Sequence, residues 1–195
     1  MDGKEFHKIM VIVVEGVDKS GKSTLVETIA KSFPGIMIKI TDKPKNSDKT
    51  ERAKIITHYS RIMDFVERNP NVNIILDRFF PSELCYSIKR GYEAKEDKFF
   101  DWIQDWFRER DHLFVFCHPG ESVIEKRITD VPDDYVTKDE NLMILKRYED
   151  FFKNARLNAL RVNTNVETNK IVEEIKNYLN EHKGYRTNGE QQSLF

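Results

Sequence analysis

One stretch, EGVDKSGKST from Glu15 to Thr24, limits what the chain can fold into more than any other feature. The apolar run IMVIVV, Ile9 to Val14, leads into it and suits a strand buried on both faces. A segment with apolar residues at helical spacing, Leu25, Ile29 and Phe33, follows and stops at a Pro-Gly pair. Between them, Gly16-Val17-Asp18-Lys19-Ser20-Gly21-Lys22-Ser23 fits the pattern G-x-x-x-x-G-K-[ST]. Glycines let such a loop curl so that backbone N–H groups converge on phosphate oxygens, and the helix that follows adds its positive end. Lys22 is then the group that reaches the terminal phosphates, and the Ser23 hydroxyl is a ligand for Mg²⁺.

Further strands are expected at IMIKI, NVNIILDRF, HLFVFC and LRVNTN, and helices at ERAKIITHYSRIMDFVERN, SELCYSIKRG, KEDKFFDWIQDWFRER, GESVIEKRI, ENLMILKRYEDFFKNA and VETNKIVEEIKNYLNEHKG. Strands alternating with helices argue for a mostly parallel sheet covered on both faces. At 195 residues the chain is expected to be a single domain over residues 1–184 with a polar tail over 185–195. The net charge of −1 supplies no global basic field for nucleic acid or an anionic membrane. Cys85 and Cys117 have no metal-ligand or CxxC spacing and read as reduced thiols. The apolar runs are shorter than the ~20 residues of a membrane-spanning helix. A cytoplasmic location is the expectation.

No D-x-x-G follows the third strand and no N-K-x-D occurs, which argues against a GTPase switch. In EGVDKSGKST and in DRFFPSELCY, Asp77 to Tyr86, the chain resembles the thymidylate kinase family and its wider nucleoside and nucleotide kinase group. The second block is similar to the family's D-R-[YH]-x-x-S-x-x-A-Y, and HYSRIMDF looks like the family's helix with an A-x-R core. The resemblance implies a three-layer α/β P-loop kinase sandwich with a five-stranded parallel sheet and a lid over about 127–138. It implies transfer of the ATP γ-phosphoryl to a deoxynucleoside monophosphate, dTMP first among them, with Mg²⁺.

The residues acquire expected roles in that frame. The whole loop from Gly16 through Thr24 binds ATP. Asp18 contacts the acceptor sugar, Asp77 and Ser23 hold the metal, and Arg78 grips the acceptor phosphate bidentately. Ser82, Tyr86, Tyr59, Arg61 and Lys43 complete the acceptor site. Lys19 stands where some thymidylate kinases carry a loop arginine, so Lys19, Lys22, Arg78 and the lid's Arg127 share the transferring charge. Where the family often reads R-E-P, this chain has Asp42-Lys43-Pro44. Asp42 keeps open a second reading, a deoxynucleoside kinase with a carboxylate base for a 5′-hydroxyl.

Trp102 and Trp106 lie one turn apart and read as core packing or a helix–helix contact, and the family's habit makes a homodimer plausible. The last five residues, QQSLF, resemble the bacterial sliding-clamp-binding motif, with Gln191, Leu194 and Phe195 as anchors. A weakly catalytic adaptor that uses this tail is the third reading.

Overall fold

A computed structural model describes residues 10–40, 49–87, 98–131 and 135–182. Five parallel strands form one sheet in the order β2-β3-β1-β4-β5: β1 (Val11–Glu15), β2 (Gly35–Lys39), β3 (Asn73–Asp77), β4 (His112–Cys117) and β5 (Ala159–Val162). The helices are α1 (Lys22–Ser32), α2 (Lys49–Arg68), α3 (Phe80–Tyr86), α4 (Lys98–Arg108), α5 (Glu121–Asp130), α6 (Lys138–Asn154) and α7 (Thr168–Glu181). This is the expected α/β sandwich with its five-stranded parallel sheet.

The layers follow from the two-residue period of the strands. Val11 and Val13 of β1 face one core with Ile74, Leu76, Phe114 and Phe116, while Ile12 and Val14 face the other with Ile75, Leu113 and Val115. The first core is closed by α2 through α6 and the second by α1 and α7. Both faces of β1 and β4 are therefore apolar, which is why their sequences run without alternation. The first core is aromatic. Phe80 is fully buried, with the rings of Phe79, Phe100, Phe107, Phe114 and Phe151 centred within 6.4 Å of its own. Truncating such a ring costs about 3–5 kcal/mol.

Trp106 is buried, and its indole N–H donates to Glu67 Oε1 at 2.7 Å under the guanidinium of Arg110. Trp102 is half exposed beside Phe99, so the pair divides between core and surface. Both cysteines are buried. Among the described residues no helix is long and apolar enough to cross a membrane.

The pattern at residues 125–140 reads as a broken helix, and α5 does end at Asp130 before α6 starts afresh at Lys138. Thr137 caps α6 by accepting from the Glu140 amide, and the Glu140 carboxylate accepts from the Thr137 amide. A reciprocal cap of this kind stabilises the new helix by about 1 kcal/mol.

Candidate active site

The carboxyl ends of β1 and β3, neighbours in the sheet, bring the two sequence blocks together: Val14 pairs with Asp77 in register. A cleft of about 1050 Å³ opens there. Asp18 to Thr24 form one wall, Asp77 to Phe79 with Ser82, Glu83 and Tyr86 another, and Arg127, Tyr135 and Thr164 a third.

The loop is built as its glycines require. Gly16 has φ 146°, and a Cβ there would lie 2.8 Å from both the Cys117 carbonyl oxygen and Ser20 Oγ. Gly21 has φ 87° and precedes the first helical residue, Lys22. Lys19 also lies in the left-handed region, φ 63°, where a side chain costs about 1–2 kcal/mol. Neighbouring elements fix this conformation. Arg127 Nη1 donates to the Lys19 carbonyl at 3.1 Å, Asn141 Nδ2 to the Asp18 carbonyl at 3.0 Å, and the Thr164 hydroxyl to the Ser20 carbonyl. Lys22 folds inward, its ammonium donating to the Val17 carbonyl at 2.8 Å. Burial, with the charge of Arg78 next, lowers its pKa to about 8.

Arg78 stands where the walls meet. It too is left-handed, φ 70°. Its amide donates to the Val14 carbonyl at 3.0 Å. Its guanidinium donates to Asp18 Oδ1 at 2.5 Å, to the Gly16 carbonyl at 3.2 Å and to Ser82 Oγ at 3.2 Å, and lies 5.2 Å from the centre of the Tyr86 ring. The Tyr86 hydroxyl in turn accepts from the Asp18 amide at 3.1 Å. Burial pushes the Tyr86 phenol well up, so it stays neutral.

Beneath them lies an acid that the motif reading passed over. Glu15, wholly buried, accepts from the Phe79 amide at 2.6 Å, from the Ser82 hydroxyl at 2.7 Å and from the Tyr148 hydroxyl at 2.9 Å. Burial raises its pKa despite the nearby guanidinium. Glu15 thereby pins the residue after Arg78 and the serine that Arg78 touches. The signal was present in the sequence: a lone acid closing a fully apolar strand must find partners inside. Glu83, Tyr135, Asn141, Tyr148 and Thr164 were also missed. Only distant packing brings the last four to the two sequence blocks.

Asp18, Lys19, Ser20, Gly21, Lys22, Ser23, Thr24, Tyr59, Asp77, Arg78, Ser82, Tyr86 and Arg127 all line the cleft. Val17 is buried beneath it. Arg61 is exposed on α2 and is not among the lining residues: the turn that buries Tyr59, Ile62 and Met63 points position 61 to solvent. Lys43 and Asp42, and Gln191, Leu194 and Phe195, lie outside the described residues, as do three residues of the lid.

Asp77 is buried with Lys39 Nζ 3.7 Å away, and Ser23 is exposed on the cleft wall. Among the described residues no three His, Cys, Asp or Glu side chains gather to hold a metal. A hydroxyl and a carboxylate, with phosphates and water for the rest, is a donor set that suits Mg²⁺.

The fold is that of a P-loop nucleotide kinase. The chain superposes on the YorR protein of Bacillus subtilis, solved in complex with phosphorylated GDP, at TM-score 0.72 and 26% identity, covering 90% of this chain and 99% of that one. It superposes on a deoxyadenosine kinase from M. mycoides with bound dATP at TM-score 0.61 and 19% identity, covering 88% and 100%. In sequence it is 27% identical to the SPbeta prophage-derived YorR of Bacillus subtilis strain 168 over 150 residues, 76% of this chain and 86% of YorR. It is 24% identical to a thymidylate kinase of Campylobacter lari over 206 residues, 88% of this chain and all of the relative. No family model matches the chain.

Proposed function

We propose that this chain is a nucleoside monophosphate kinase, transferring the γ-phosphoryl of ATP to the phosphate of a deoxynucleoside monophosphate. The observation that carries the reading is Arg78. A guanidinium fixed by Asp18, the Gly16 carbonyl and Ser82 sits between the phosphate loop and the aromatic wall of a single cleft. A monophosphate acceptor needs a cation at that junction, because two anions must meet head to head. A 5′-hydroxyl acceptor needs a free carboxylate base there instead, and among the described residues the carboxylate in contact with Arg78, Asp18, is engaged by its guanidinium.

In this reading Lys22 leaves the Val17 carbonyl for the β- and γ-phosphates, and the loop amides cradle the rest. Ser23 and Asp77 would hold Mg²⁺, which would supply positive charge to the phosphates. Arg127, already anchored on the Lys19 carbonyl, supplies positive charge to the transferring group from the lid side, with Lys19 beside it. Asp18 and Tyr86 border the acceptor sugar. The guanine nucleotide in the YorR complex and the thymidylate kinase relative both support a nucleotide occupant. dTMP is the acceptor implied by the sequence resemblance. A homodimer, a cytoplasmic location and a clamp contact through Gln191, Leu194 and Phe195 belong to the same proposal.

The test is ADP release measured over a panel of nucleosides and their monophosphates with ATP and Mg²⁺. Turnover of monophosphates and not of nucleosides is expected. Turnover of a nucleoside alone would make the chain a nucleoside kinase.

A further inference from the structure

Lys39 is a cleft residue to which the sequence motifs give no role. It closes β2, an edge strand, and lines the cleft beside Asp77. Parallel register sets Lys39, Asp77 and Val14 in one row across β2, β3 and β1. Side chains in such a row share one face of the sheet. It is the face covered by α1: Val14 and Ile75, two residues before Asp77, pack there with Leu25. Ser23 lies in the first turn of that helix and lines the same cleft.

Asp77 is buried, yet among the described residues its carboxylate accepts no hydrogen bond. Lys39 Nζ stands 3.7 Å from Asp77 Oδ2, beyond hydrogen-bond range, and the lysine side chain is more than half exposed. A buried carboxylate without donors is costly and calls for a cation. Here that cation is a loosely held ammonium on a long, solvated stem. A stronger cation can replace it with little loss.

We propose that Lys39 is the resident counter-ion of Asp77 and competes with the divalent metal for that carboxylate. The inference rests on the assignment of Ser23 and Asp77 to the metal in the kinase reading. An ammonium brings one positive charge to the carboxylate and a divalent ion brings two. The two cations repel, so metal entry requires the Lys39–Asp77 pair to open. One carboxylate and one hydroxyl are a small donor set for Mg²⁺, and substrate phosphates complete it. Lys39 therefore holds Asp77 until metal and nucleotide arrive together. The displaced ammonium remains on the cleft wall, where bound phosphates offer it negative charge in place of Asp77. A lysine that only guards a sheet edge from pairing would have no such link to the metal.

The experiment titrates the full chain with Mn²⁺ as the probe metal, read by EPR, without nucleotide and with ADP at less than the protein concentration. Asp77→Asn is expected to weaken Mn²⁺ in the ADP complex by about tenfold or more. Lys39→Met keeps the stem and removes the charge, and is expected to tighten Mn²⁺ by about two- to fivefold, the range of a partly exposed ion pair. Lys39→Arg keeps the charge and is expected to stay with wild type. In the Asp77→Asn background Lys39→Met has no pair to remove and is expected to gain nothing. Lys39→Met no tighter than wild type, or equally tighter in both backgrounds, overturns the inference and leaves Asp77 a metal residue. Asp77→Asn binding Mn²⁺ as well as wild type overturns the metal assignment and the inference together. These outcomes are read from binding, so they stand whether or not any monophosphate turns over.

Discussion

Arg78 and Lys22 are the two residues on which the proposed chemistry turns. Arg78 occupies a left-handed conformation that costs about 1–3 kcal/mol, and that strain is offset by the Val14 carbonyl on one side and Glu15 on the other. Lys22 is an ammonium held against a backbone carbonyl with its pKa lowered to about 8, chiefly by burial. The sign of the consequence is definite. The free loop loses the Lys22 proton as pH rises through about 8, whereas phosphate-bound Lys22 must be charged, so nucleotide binding takes up a proton above that pH. ATP affinity by calorimetry is therefore expected to be flat below about pH 7 and to fall toward tenfold per unit above about pH 8. Lys22→Arg stays charged throughout and is expected to abolish that slope, whatever its absolute affinity. An unchanged slope in Lys22→Arg would assign the titration elsewhere. Asp18, Lys22, Ser23 and Asp77 were readable because motif spacing encodes them locally. The partners of Glu15 were not, because Ser82 and Tyr148 lie 67 and 133 residues away in sequence.

At the scale of elements, α5 and the loop it touches form one device. Arg127 lies in the last turn of α5, bridging to the Lys19 carbonyl at 3.1 Å and to Asn165 Oδ1 at 3.5 Å. Charge delivered to a transferring group matters more in the transition state than in the ground state. Arg127→Ala and Lys19→Ala are each expected to lower kcat by about 10–1000-fold with KM for ATP within about threefold, measured by steady-state kinetics. Changes confined to KM would make both residues ground-state binders. The elements themselves were largely legible. β1 and β4 are unbroken apolar runs because both faces are covered, and α7 carries Ile171, Val172, Ile175 and Tyr178 at helical spacing. Arg61 misled because a motif position says nothing about which way a helix is rolled. The rotation of α2 is set by Tyr59, Ile62, Met63 and Val66 packing inward.

For the molecule as a whole, the sheet order decides what meets. β1 and β3 are separated by β2 in sequence and adjacent in space, so Arg78 reaches Asp18 across 60 residues of chain. Alternating patterns predict a parallel sheet but not its order, since the strands' apolar sequences are interchangeable by composition. The tail is a separable claim at this scale. Deleting Gln191 to Phe195 is expected to abolish retention on an immobilised bacterial sliding clamp while kcat stays unchanged, and equal retention by the truncated chain would remove the clamp from the account. The central claim concerns where a phosphoryl group lands. Incubating the protein with γ-³²P-ATP, Mg²⁺ and unlabelled deoxynucleosides and their monophosphates, then resolving the products, reads this directly. The account predicts label in the β-phosphate of a deoxynucleoside diphosphate, lost by at least about 100-fold in Lys22→Ala. Label appearing instead in a monophosphate made from an added nucleoside, or diphosphate formation undiminished in Lys22→Ala, would contradict it.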